Sequence, residues 1–133
     1  MNPILKEIRN DLAGLGLLHD WLGTGEPVHP VVSYYRAKIC EDCPENVQPG
    51  WWDTHIKLPI AQTIKAELEL KSGMKISVPN EAAMGMCKVC GCCNALAVHV
   101  PVAHLKDHTS QKLLARFPDN CWKKREISAS IAP

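Results

Sequence analysis

The sequence predicts a small α+β domain, and three observations carry that expectation. Cys40-Glu41-Asp42-Cys43 and Cys87-Lys88-Val89-Cys90 repeat one C-x-x-C spacing, in which a tight turn aims two thiolates at a single ion. The stretch between them carries an apolar period of three and four, as in a helix, whereas Val98, Val100 and Val102 alternate as in a strand. A third pattern, a stripe of Ile and Leu, precedes both knuckles. Together they describe a zinc-ribbon-like, metal-stapled domain with a helical insertion and an N-terminal amphipathic helix.

The 133 residues suit one domain, and a 46% hydrophobic share is enough for a core. A net charge of +1 lacks the basic excess of most nucleic-acid modules. Met1 leads into an amphipathic pattern with Glu7 and Asp11, without the basic and apolar regions of a secretory signal. No apolar run has the length of a membrane span. Seven cysteines in such a chain favour metal over a secreted disulfide framework. Cytoplasmic synthesis is therefore expected.

Taken in order, residues 3–22 read as a helix striped by Ile4, Ile8, Leu12, Leu15, Leu18 and Leu22, capped by Asn2 and ended by Gly23. Gly14 and Gly16 each weaken it by roughly 1 kcal/mol relative to Ala, so it needs a partner surface, in its own domain or on another subunit. Gly23 to Pro27 is a hinge-like break. Val31 to Ile39 suits a short helix running into Cys40, and Pro44 stops it. Glu45 to His55 reads as a loop whose Trp51-Trp52 pair covers a small core or anchors a partner.

Residues 59–72 form a second helix with Ile60, Ile64 and Leu68 on one stripe and Gly73 at its cap. Met74 to Val78 suggests a short strand, and Pro79-Asn80-Glu81 a turn. Ala95 to Val102 reads as an edge strand leaving the second knuckle, since Pro101 removes a ladder donor. Thr109 or Ser110 caps a helix over 111–117, Pro118 ends it, and Cys121-Trp122 returns to the site. Ser128 to Pro133 reads as a loose tail.

The ligand set expected from spacing is Cys40, Cys43, Cys87 and Cys90, with Cys92 and Cys121 as alternates or as a pair of their own. Gly91 lets the second knuckle turn with φ > 0. Neighbours in an extended segment face opposite ways, so only one of Cys92 and Cys93 addresses the metal. Zinc is the expected ion, and an iron–sulfur cluster, which also takes four thiolates, is the alternative. His104 and His108 would share a face if helical, but their stretch reads as a turn and lacks the Glu of zinc proteases. His99 lies nearby, while His19, His29 and His55 carry no pattern. Phosphate-loop, nucleophile-elbow and paired-carboxylate templates are absent, so no catalytic residue is expected. Cys90-Gly91-Cys92 as a redox dithiol lacks a thioredoxin-like context.

The outline Arg36-x-x-Ile39-Cys40-x-x-Cys43-Pro44-x-Asn46, then Cys87-x-x-Cys90-Gly91-Cys92, Val98-His99-x-Pro101 and Cys121-Trp122 resembles a group of small cysteine-rich proteins of bacteriophage and prophage genomes. The resemblance covers about residues 36–122 and implies a zinc-ribbon-like fold and a virion or assembly role. Cys93 stands where that group tends to have Pro, which makes it the free thiol.

The expected organisation is an N-terminal helix or arm over 1–25, a cysteine-rich metal-binding domain over 26–125 and a flexible tail over 126–133. The expected function is that of a non-enzymatic, zinc-stabilised structural or adaptor protein. It would act through protein–protein contacts of its N-terminal helix, with itself or with another protein, as in a phage tail or capsid. One alternative is a zinc-ribbon nucleic-acid-binding or regulatory protein using Lys123-Lys124-Arg125. The other is an iron–sulfur or thiol redox protein.

Overall fold

The computed structural model describes residues 16–131. Helix α1 occupies residues 16–24, and the earlier part of the expected helix lies outside the described residues. Then follow α2 (Pro30–Glu41), β1 (Asn46–Val47), a π-helical turn (Asp53–Lys57) running into α3 (Leu58–Ser72), and β2 (Met86–Cys87). Four further helices complete the described chain: α4 (Asn94–Ala97), α5 (Val102–Asp107), α6 (Gln111–Arg116) and α7 (Trp122–Ile131). Helices dominate, and the strands form one two-stranded antiparallel sheet, pairing Asn46 with Cys87 and Val47 with Met86. This is an α+β fold. No described helix is long and apolar enough to cross a membrane.

Local chemistry sets most boundaries. His29 Nδ1 accepts from the Val31 N–H at 3.1 Å, and Pro30 begins α2, where its missing donor costs nothing. The Ser110 hydroxyl accepts from the Leu113 N–H at 3.1 Å and starts α6, as expected. Lys71 Nζ, reaching over from α3, donates to the Leu22 and Gly23 carbonyls at 2.9 and 3.0 Å, a cation on the C-terminal carbonyls of α1.

Several expectations give way to tertiary packing. Ala95 to Val102 is not a strand, since α4 and a turn occupy it and Val102 opens α5. The alternating valines still go inside, with Val98 and Val100 fully buried, because the turn takes its carbonyls to Arg36 rather than to a sheet. Met74 to Val78 forms no strand, although Ile76 and Val78 are buried. The region of His104 and His108 is helical, with His108 at the cap of α5. Residues 128–131, read as tail, continue α7. Trp51 is exposed and Trp52 half-buried, so the core tryptophans are Trp21 and Trp122.

Arg36 organises the centre. Its Nη1 donates to the Val98 and Val100 carbonyls at 3.1 and 2.7 Å. The Nε and Nη2 groups grip the Glu126 carboxylate at 3.0 and 2.6 Å. Its guanidinium lies 4.3 Å from the centroid of the Trp122 ring. Five donors in a rigid fork suit this convergence, which locks α2, the 98–100 turn and α7 together. Asn46 does the same for the loops: its side-chain oxygen accepts from Gly85 N and Asn94 Nδ2, and its amide donates to Ala83 O.

On the core face of α1, Leu17, Leu18 and Trp21 join the central cluster, and Leu22 packs against it. Within the described residues, then, the helix packs on its own domain.

Candidate metal centre

The last turn of α2 carries Cys40, and the Cys43 N–H returns to the Cys40 carbonyl at 3.1 Å. This closes the first knuckle. In the second, the Gly91 N–H donates to Cys87 O at 2.7 Å and the Cys87 N–H to Cys92 O at 2.8 Å. Gly91 adopts φ 74°, as the turn requires of it. The β1–β2 pairing, with a Lys88 N–H to Glu45 O bond of 2.8 Å, sets the two knuckles side by side. That contact needs Gly85, because a Cβ there would run into the Val47 carbonyl.

Cys40, Cys87, Cys90, Cys92 and Cys121 are buried, Cys43 is half-buried, and all seven cysteines are free thiols. No Cys92–Cys121 disulfide exists. Cys87 and Cys92 hydrogen-bond to Cys90, and those bonds hold the Cys90 thiol well below its usual range, while Cys87 and Cys92 are pushed up. The second trio is Cys40, Cys43 and Cys121. Burial pushes up Cys40 and Cys121, and Cys43 adds to both through its charge. Cys93 faces away, into a separate cavity of about 170 Å³ with Leu58, Ala61 and Lys65, and burial raises its pKa. The expected opposition of Cys92 and Cys93 holds.

Two donors from α7 reach the sulfurs. Trp122 Nε1 donates to Cys40 Sγ at 3.0 Å, and Lys123 Nζ to Cys90 Sγ at 2.9 Å. Lys123 is 3% exposed. Burial alone would favour its neutral amine, but the negative charge of the thiol group, Cys90 foremost, outweighs that and raises its pKa well above the usual range. The sequence reading missed both residues as sulfur partners, taking Lys123 for part of a basic surface run. The available signal was position, since Trp122 and Lys123 directly follow Cys121 on a helix.

Lys124 is likewise engaged, donating to Phe117 O at 3.2 Å and to Asp119 at 3.0 Å. Of the basic run, only Arg125 is exposed.

As they stand, no three His, Cys, Asp or Glu side chains among the described residues are arranged to hold an ion. The donor chemistry nonetheless fits one. Four thiolates around a divalent zinc leave a net charge of about −2, which a buried ammonium and an indole N–H offset. Soft, all-sulfur donors suit zinc or an iron–sulfur cluster. A water-sized cavity of about 20 Å³ adjoins Cys90, Cys92 and Lys123 and is also lined by Leu105, Phe117 and His108.

Compared with family models, curated proteins and solved structures, the chain matches none of them.

Proposed function

We propose that this chain is a non-enzymatic structural or adaptor protein whose core is stapled by zinc. Cys40, Cys43, Cys87 and Cys90 are its ligands, and Cys92 and Cys121 are the alternates. The observation that carries the reading is the buried Lys123 ammonium on Cys90, beside the Trp122 N–H on Cys40. Burying an unpaired cation costs several kcal/mol, and neutral thiols would not offset it. Thiolates do, and a metal ion is what keeps several thiolates together. Protein–protein contact is the proposed activity, through the Ile4, Ile8, Leu12 and Leu15 stripe that precedes the packed end of α1. A place in a phage tail or capsid follows from the resemblance of the cysteine outline.

The test is elemental analysis of protein purified without added metal. Zinc near one equivalent, lost in Cys90→Ser, supports the reading, and a folded, metal-free wild-type protein refutes it.

An iron–sulfur cluster is the second reading, since N–H donors to sulfur serve it equally. Iron with visible absorbance would select it. The nucleic-acid alternative is less supported, because Lys123 is buried on Cys90 and Lys124 is engaged by the Phe117 carbonyl and Asp119.

A further inference from the structure

Outside the thiol core, a polar seam joins α1 to α5. Gly16, Asp20 and Thr24 stand four residues apart and so share one face of α1, and His104 and His108 have the same spacing on α5. His104 Nδ1 and His108 Nε2 lie 3.2 and 3.3 Å from the same oxygen, Asp20 Oδ2. His104 Nε2 lies 3.0 Å from the Thr24 hydroxyl. The His108 ring passes over Gly16, where a Cβ would stand 3.9 Å from it.

Hydrogen-bond accounting shows what a proton does here. The Thr24 hydroxyl donates to the Trp21 carbonyl at 3.2 Å. With both ring nitrogens protonated, His104 donates to Thr24 and Asp20 at once, and every contact in the seam is met. With a proton on Nδ1 alone, it still reaches Asp20 but must draw the Thr24 proton away from Trp21. Deprotonation thus leaves neutral hydrogen bonds in place and removes the charge assistance, which roughly doubles the strength of such a bond. The hydrogen bond from His104, then that from His108, lowers the pKa of Asp20, so its carboxylate stays charged throughout the range in which imidazoles titrate.

The other charges around the seam are paired or in water. On α7, which packs against α5, Lys123, Lys124 and Glu126 are held by Cys90, Asp119 and Arg36. Lys106 and Asp107 on α5 and His19 on α1 are exposed. Lys71 of α3 caps the far end of α1 through the Leu22 and Gly23 carbonyls and keeps its charge over the same range.

We propose that Asp20, His104 and His108 form a proton-operated latch, in which imidazolium on α5 holds α1 to the domain and loss of that proton loosens it. The latch tightens toward the acid end of the range of about pH 5–8 in which histidine changes charge, and slackens toward the alkaline end. Because α1 directly follows the Ile4, Ile8, Leu12 and Leu15 stripe, the latch sets how firmly the base of that stripe is anchored. It stands whether or not the thiols carry metal, and whatever the stripe contacts.

The test follows amide exchange in the full chain at about pH 6 and about pH 8, with rates corrected for the intrinsic effect of pH. Referred to the amides of α7, those of α1 should be about threefold better protected at the lower pH. The α7 reference cancels global opening, to which His99 contributes. Asp20→Asn keeps the shape and drops the charge, and it should remove the difference, as should His104→Gln/His108→Gln. Equal relative protection of α1 at both pH values in wild type, or the same difference retained in Asp20→Asn, overturns the proposal.

Discussion

At the residue scale, the most consequential side chain outside the thiols is Arg36, which satisfies two buried carbonyls and one carboxylate at once. Lysine has the charge without the fork, so it cannot hold all three. Arg36→Lys should therefore destabilise the protein by about 3 kcal/mol, read as a lower denaturation midpoint at unchanged slope. An unchanged midpoint would mean that the hub is dispensable.

His99 makes a pH-dependent contribution. Burial above all, with the positive charges of Lys65 and Arg36, lowers its pKa from 6.5 to about 4, and its Nε2 is buried without a hydrogen-bond partner. The unfolded chain thus binds this proton more readily. The associated stability is whole above pH 6.5 and is lost as pH falls toward about 4. Its full size is about 3 kcal/mol. Denaturation midpoints measured across that window should fall in wild type and fall less steeply in His99→Phe.

At the element scale, the two-stranded sheet matters because it joins the knuckles rather than because it is large. Gly85→Ala should push β1 from β2, since the new methyl meets the Val47 carbonyl. A loss of about 2–3 kcal/mol, with weakened retention of the proposed zinc, is expected from denaturation and elemental analysis together. Unaltered stability and metal content would show that the knuckles associate without the sheet.

The elements also show what a sequence pattern can mislead about. Alternating Val98, Val100 and Val102 resembles a strand, but the backbone carbonyls there find Arg36 instead of a neighbouring strand. Periodicity reports which residues are apolar, and here it could not report which donor the backbone would meet. Helix α3 was legible from its stripe, yet Ile60 is exposed while Ala61 and Leu68 face inward.

For the whole molecule, the thiol cluster is the junction of α2, the second knuckle and the start of α7. A structural zinc site contributes on the order of 10–16 kcal/mol as an apparent value in small peptides, against about 5–15 kcal/mol for a domain. Stripping the proposed zinc with a strong chelator should abolish cooperative thermal unfolding, as followed by circular dichroism. Cys93→Ser should retain both metal and transition within about 1 kcal/mol, because Cys93 lines the other cavity. A chelated protein that unfolds at the same temperature would remove the staple from the account.

The sequence by itself determined the two knuckles, the need for Gly91, the cap of α6, and the opposition of Cys92 to Cys93. Each rests on contacts within a few residues, where spacing and backbone preference are enough. Tertiary structure alone decided that Trp122 and Lys123 serve the sulfurs, that Arg36 anchors the 98–100 turn, and that Asp20 meets His104 and His108. Those partners lie 82, 33, 62, 64, 84 and 88 positions apart. A buried charge or donor must find its complement in space, and at such separations only the packed chain says which residue that is.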